Sequence, residues 1–305
     1  MQSTFRVTAV VPTFNPDIGF IERLNRLGNQ VDHVMIVDDG GGKQSEYILE
    51  KVFGKKYTVI RLEKNCGIAT ALNVGMRRGL AMGAEYLVNV DQDTLLPNNY
   101  IETALEIFSR SHPVTRIGIV CVDQVNSEPA LPTWISPEGF GLVPEAIQTG
   151  FVISAECLNE CGFLDERLVI DCVDTEFCMR VRASGFNIAI AKNTNVEHTI
   201  GRLAPLQPFG VQLKEEDGSQ RMFQYHSPFR RYYITRNNID LCLRYLRTQP
   251  RWTAVVIRRQ AKGMLYSATS GPRCGAQSLA ILVGTVHGLM RRRGRIPPWL
   301  EKLIL

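Results

Sequence analysis

No stretch of this 305-residue chain approaches the roughly 18 uninterrupted apolar residues of a membrane-crossing helix, so no such helix is expected. The opening MQSTFRVTAVVPTFNP lacks a basic n-region and runs straight into a strand-like segment, which argues against a secretory leader. Eight cysteines are present, yet none forms a CxxC pair or a Cys/His spacing suited to zinc. Scattered thiols without a leader point to a reducing cytoplasm. A GxGxxG fingerprint is missing, and GGGKQS at 40–45 does not satisfy GxxxxGK[ST]. These two absences count against a dehydrogenase and a P-loop NTPase. Internal repeats and low-complexity tracts are absent as well. What remains is an ordinary globular composition, 45% apolar and 21% charged, able to bury a sizeable core.

Charge is unevenly spread. Residues 221–305 hold 16 Lys and Arg against 2 Asp and Glu, while the preceding 220 residues hold 19 against 28. An acidic front and a basic back imply different jobs, and a basic region attracts phosphates wherever they occur. Leu279–Met290 leads into Arg291, Arg292 and Arg293. That pattern suits a helix lying on an anionic membrane surface, or a core-packed helix with a solvated basic end. A basic nucleic-acid-binding module is a reading of another class. It lacks RNP, KH and zinc-finger patterns, so no nucleic acid is expected.

Periodicity organises the first half. Short apolar runs at Val7–Val11, Val34–Val37, Tyr57–Leu62 and Tyr86–Val90 alternate with helical spacing, as in Ile21, Leu24 and Leu27 and in the stretch Ala69–Met82. Such alternation predicts an α/β fold, Rossmann-like, with a mostly parallel sheet flanked by helices. Ligands then bind beyond the carboxyl ends of the strands, where Thr13, Asp38/Asp39 and Asp91/Asp93 should converge. The segment 117–196 reads as further strands, then a helix around Thr175–Ser184 stopped by Gly185. Residues 204–226 show no periodicity and read as a loop or lid. The rest, 227–305, reads as helical and basic, with Phe229, Tyr232, Arg236, Ile239, Leu243 and Leu246 on one stripe. The expected divisions are therefore 1–203, 204–226 and 227–305.

Several motifs carry chemistry. Asp91-Gln92-Asp93 directly follows an apolar strand. One or two carboxylates there suit a hard cation such as Mg²⁺ or Mn²⁺ shared with substrate phosphates, although DxD also occurs in solvated turns. Asp38-Asp39-Gly40 reads as an acidic turn, or as a carboxylate accepting from a pyrimidine ring N–H. Asn65-Cys66-Gly67 opens a helix, either for anion approach or for close packing on the sheet. Asp171, Asp174 and Glu176 crowd one helix start, as caps or as a general base beside a pocket. His198 follows another apolar strand, as a structural residue or as a metal ligand. The run Tyr225–Asn237, with Arg230, Arg231 and Arg236, suits diphosphate recognition or a solvated helix.

In this order the motifs resemble the family 2 inverting glycosyltransferases of the GT-A fold: strand–PTFN, strand–DDG, N-x-G-x-A-x-x-x-N-x-G, strand–DxD, D-x-x-D-x-E and a late His. The match runs over about residues 6 to 200. QTGFVIS at 148–154, DCVDTEFCMR and YHSPFRRYYITRN resemble the bacterial rhamnosyltransferase branch that uses dTDP-rhamnose to build O-antigen and related cell-surface polysaccharides. The resemblance implies that Thr13 and Asp39 line a nucleotide pocket bordered by Asn65 and Gly67. It implies that Asp91 faces ribose or metal, that Asp93 ligates the cation, and that His198 approaches it. Asp174 falls at the base position, and Arg236 would add charge at the diphosphate. Where many relatives carry Glu-Asp, this chain has Val173-Asp174, which leaves open whether Asp171 or Glu176 orients the acceptor. Also implied is a polyprenyl-diphosphate-linked saccharide acceptor, with the enzyme peripheral on the inner face of the bacterial inner membrane. A UDP-hexose donor on the same fold is the alternative.

Overall fold

Seven consecutive buried residues, rich in β-branched side chains, make the first strand, β1 (Val7–Thr13). It is followed by α1 (Phe20–Gly28), β2 (His33–Asp38), α2 (Lys43–Leu49), β3 (Tyr57–Arg61), α3 (Ile68–Ala81), β4 (Tyr86–Asn89) and α4 (Tyr100–Arg110). Next come β5 (Ile117–Val125), β6 (Glu128–Pro129), β7 (Trp134–Ile135), β8 (Gly141–Val143), β9 (Phe151–Ser154), α5 (Ala155–Cys161), α6 (Val173–Ala183) and β10 (Asn187–Val196). The chain continues with β11 (Arg202–Pro205), β12 (Met222–Tyr225), α7 (Pro228–Tyr245), α8 (Pro250–Ser270), α9 (Cys274–Leu289) and α10 (Pro298–Ile304). This computed structural model describes residues 6–197 and 202–305. It divides into a sheet unit, Met1–Glu166 with Val173–Thr199, and a helical unit, Arg167–Cys172 with Ile200–Leu305.

In the sheet unit the strand order is β3-β2-β1-β4-β9-β5-β10-β8-β7, with β6 on β5. The four strands from β3 to β4 are all parallel. Both faces of β1 are covered. Val7, Ala9 and Val11 join Leu24 and Leu27 of α1 and Tyr100 and Ile101 of α4, while Gly75 of α3 lies against Val10 and Val37 on the other side. The chain leaves β1 toward β2 and β3, then returns to β4 on the opposite edge of β1. The carboxyl ends of β1 and β4 therefore flank the point where strand order reverses, the place where open α/β sheets bind their ligands. Beyond β4 the sheet is mixed. β9 runs antiparallel to both β4 and β5, and β7 and β8 are antiparallel as well. β9 is buried at every position, as a central parallel strand would be, so its hydropathy carries no sign of direction.

The helical unit is built differently. Its strands β11 and β12 form an antiparallel hairpin, whose Phe223 meets Tyr266 of α8 edge-on at 6.0 Å between ring centroids. The stretch 204–226 read as a loop thus contains β12 and the end of β11, which pair with each other. Helix α7 is buried nearly all round, by polar residues as well as apolar ones: Arg231, Thr235, Arg236, Asn237, Asn238 and Asp240 all lie inside. The apolar stripe predicted for it fades toward the end, where Leu243 and Leu246 are exposed. Helix α9 approaches α7 through small residues. A Cβ at Gly284 would lie 2.9 Å from the Tyr232 carbonyl oxygen, and one at Gly288 would lie 2.8 Å from that of Arg236. The outer side of α9 shows Leu282, Val286 and Leu289 to solvent. Among the described residues no helix is long and apolar enough to cross a membrane.

Candidate active site

At the end of β2 two adjacent carboxylates turn inward. Asp38 accepts from the Ser45 hydroxyl at 2.9 Å, which fixes the start of α2. The Asp39 backbone N–H donates to the Thr13 carbonyl at 2.8 Å, tying β2 to the end of β1. The Asp39 carboxylate accepts from the backbone N–H groups of Cys66 at 2.6 Å and Gly67 at 2.9 Å. Gly67 stands at the N-cap of α3 with φ of 94°, a conformation that side chains resist. Gly40 also has positive φ, 70°, and any Cβ there would collide with the backbone of Lys64 and Asn65. The DDG and NCG segments are therefore one interlocked corner. Two neutral hydrogen bonds do not exhaust the lone pairs of the Asp39 carboxylate. Beside it the Thr13 hydroxyl is buried with no hydrogen-bond partner among the described residues.

The end of β4 closes on the same corner through Gln92. Its side-chain oxygen accepts from Phe14 N–H at 2.9 Å, and its carbonyl accepts from Arg23 Nε at 2.9 Å. Asp91 is held from the other side by the segment before β9. Its N–H donates to the Thr149 hydroxyl at 3.1 Å, and its Oδ1 accepts from Gln148 Nε2 at 2.7 Å. Asp91 and Asp93 are both half-buried. Buried Gln148 Oε1 has no partner among the described residues. Carboxylate and amide oxygens form the donor set that Mg²⁺ or Mn²⁺ prefers, so these residues fit such a cation when a diphosphate supplies the remaining oxygens. Among the described residues, no three His, Cys, Asp or Glu side chains gather into a protein-only cage. His198 lies outside the described residues.

Asp174 stands in the first turn of α6, half-buried, its Oδ1 accepting from Thr175 N–H at 2.8 Å. One turn later the Cys178 thiol lies 3.8 Å from the Ala146 carbonyl. Burial pushes that thiol well up, and the carboxylates of Asp174 and Glu145 push in the same direction. The loop 144–150 thus has Asp174 toward one end and, through Gln148, Asp91 toward the other. Thr13, Asp39 and Gly67 thus share one corner at the strand ends, Gln92 ties the Asp91–Asp93 turn to it, and the loop 144–150 links Asp91 to the helix that carries Asp174.

The remaining candidates are engaged elsewhere. Glu176 is buried and ion-paired with Arg180 at 2.8 Å, and Arg180 also donates to the Phe163 carbonyl. Asp171 belongs to the helical unit, where Arg230 pairs with it at 2.5 Å. Arg236, expected at the diphosphate, is 1% exposed and donates to the carbonyls of Gly294 and Leu168 and to Asn237 Oδ1. It braces the backbone of its own unit in place of the expected ligand contact. Gln92 and Thr149 were not singled out from the sequence, because each acts through a partner at least 58 residues away.

The chain is 29% identical over 246 residues to dTDP-rhamnosyl transferase RfbF of Shigella flexneri, covering 76% of this chain and 78% of that protein. Among solved structures it is similar to S. aureus TarS 1-349 in complex with UDP-GlcNAc, with a TM-score of 0.52 and 15% identity over 94% of this chain and 73% of that one. Full S. aureus TarS gives 0.55 at 16% identity, over 98% of this chain and 50% of that one. These likenesses establish a shared fold. The model of the family described as glycosyl transferase family 2 matches residues 8–164, from the first strand past the paired acids after β4. Because that match takes in more than half of the sequence, the chain belongs to glycosyl transferase family 2.

Proposed function

We propose that this glycosyltransferase moves L-rhamnose from dTDP-rhamnose, with inversion, to a hydroxyl of a lipid-linked saccharide during O-antigen or related cell-surface polysaccharide synthesis. The observation that carries the donor assignment is the likeness to dTDP-rhamnosyl transferase RfbF over three quarters of both chains. The unpartnered Thr13 hydroxyl and the Asp39 carboxylate supply polar groups for the nucleotide, and the corner at Asn65 and Gly67 borders it. Asp174 takes the proton from the acceptor hydroxyl. The oxygen then bonds to the anomeric carbon from the face opposite the diphosphate, and the bond to the diphosphate breaks, releasing dTDP. Asp93 and Asp91 would hold a divalent cation, which when bound would supply positive charge for the departing diphosphate.

The acceptor side rests on charge and surface. Residues 221–305 are strongly basic, and α9 exposes Leu282, Val286 and Leu289 before Arg291. An anionic inner-membrane face presenting a polyprenyl-diphosphate-linked saccharide suits both features. The test is a panel of dTDP-rhamnose, UDP-glucose, UDP-galactose and UDP-N-acetylglucosamine, read by donor hydrolysis and thermal stabilisation with and without Mn²⁺. Preference for dTDP-rhamnose is the expected result, and preference for a UDP-hexose overturns the donor assignment.

A further inference from the structure

Of the three arginines at the start of α7, Arg230 is paired with Asp171 and Arg236 with backbone carbonyls. Arg231 is different. It is 3% exposed, and its Nε has no hydrogen-bond partner among the described residues. An arginine cannot shed its charge at physiological pH, so burying it without a counter-charge is costly. Burial pulls its pKa down, which Asp171 only partly opposes. A residue kept at such a cost suggests that its partner arrives from outside.

Arg231 lines a hollow of about 560 Å³ that lies wholly within the helical unit. That volume is in the range of small-molecule sites. Arg259 and Lys262 of α8 and Arg221 before β12 also line it. Glu215 is the one carboxylate among the described lining residues, and it pairs with Arg221 at 3.3 Å. Three cations are left without an acid in the wall. His226, at the same wall, is driven to a pKa of about 4 by burial and by Arg230 and Arg231, so it adds a neutral ring whose buried Nδ1 is also unpartnered. Met222, Phe223, Ile234 and Tyr266 supply an apolar part of the wall, with Phe223 and Tyr266 packed edge-on, and Gln224 and Gln260 add amide groups.

We propose that this hollow is a phosphate-binding site separate from the nucleotide crevice, taking a phosphoryl or diphosphoryl group on Arg231, Arg259 and Lys262. The phosphate has two possible carriers, a free phosphate or a lipid phosphate whose chain follows the apolar wall. The inference does not depend on the identity of the donor sugar.

The test uses the full chain, without divalent cation, titrated with inorganic pyrophosphate and separately with farnesyl diphosphate, read by thermal shift and calorimetry. Pyrophosphate should stabilise the protein, and Arg231→Met should weaken its binding at least tenfold while leaving the ligand-free protein equally or more heat-stable. Arg259→Gln with Lys262→Gln, both at exposed positions, should weaken binding without unfolding anything. Farnesyl diphosphate binding tenfold tighter assigns the site to a lipid-borne phosphate, and equal binding assigns it to a free one. The proposal is overturned if neither probe binds, if the variants bind as well as the parent, or if saturating dTDP displaces pyrophosphate.

Discussion

The two units solve the problem of a stable interior in opposite ways. Strands β1 and β2 bury hydrocarbon on both faces and carry ionisable groups only at the strand ends. Helix α7 buries arginines, asparagines and an aspartate along its length, and satisfies most of them with carbonyls and ion pairs. Asp240, its side chain 2% exposed, holds Arg293 at 3.0 Å and also Arg244. Asn237 donates to the carbonyls of Leu168, Ile170 and Asp171. Charge is thus held to the strand ends in β1 and β2, whereas in α7 polarity is itself the packing material.

The comparison can be broken at several points. The largest effect is expected at the proposed base. Asp174→Asn should lower turnover by roughly 10²–10⁴-fold while donor affinity and melting temperature stay near the parent's. Normal turnover in that variant removes Asp174 from the reaction. Inside the helical unit, Asp240→Ala leaves two arginines facing an empty carboxylate position, and should cost about 3–5 kcal/mol in denaturant unfolding. An effect under 1 kcal/mol would show that the ion pairs are ornamental. Asp93→Ala should weaken the gain in dTDP affinity given by Mn²⁺ by roughly 10–100-fold, as measured by calorimetry. Within the apolar unit, buried Ile36→Val should cost only about 0.5–1.5 kcal/mol.

Acid should separate the units more gently. The folded-state pKa of His226 is lowered to about 4. Its contribution to stability is therefore intact above the ordinary histidine value of about 6.5 and lost as pH falls from there toward 4, because the unfolded chain takes up the proton first. The hydrogen-exchange protection of α7, relative to the intrinsic rate at each pH, should fall across that window, with that of β1 and β2 unchanged, and His226→Asn should flatten the response.

The same contrast explains what could be read in advance. The strands β1 to β4 were legible because hydrocarbon runs ended by Pro12, Asp38 or Asp91 admit few other readings. That Asp38, Asp39 and Asp91 follow the ends of parallel strands was legible for the same reason. The links between those acids were not, because Gln92, Gln148 and Thr149 act across long stretches of chain. Strand direction in the second half of the sheet was hidden by uniform burial in β9. The interior of α7 was hidden because buried Arg236 and Asp240 look, letter by letter, like a solvated face.

The border between the units has one more consequence. Residues 167–172 belong by packing to the helical unit, although by position they lie inside the sheet unit's sequence. Asn237 and Arg236 hold their carbonyls, and Val173 and Asp174 follow immediately. A fragment ending near residue 200 would keep every strand of the large sheet yet strip this strap of its moorings just before Asp174. The C-terminal helices are thus part of what an engineer must carry along when transplanting or shortening this enzyme.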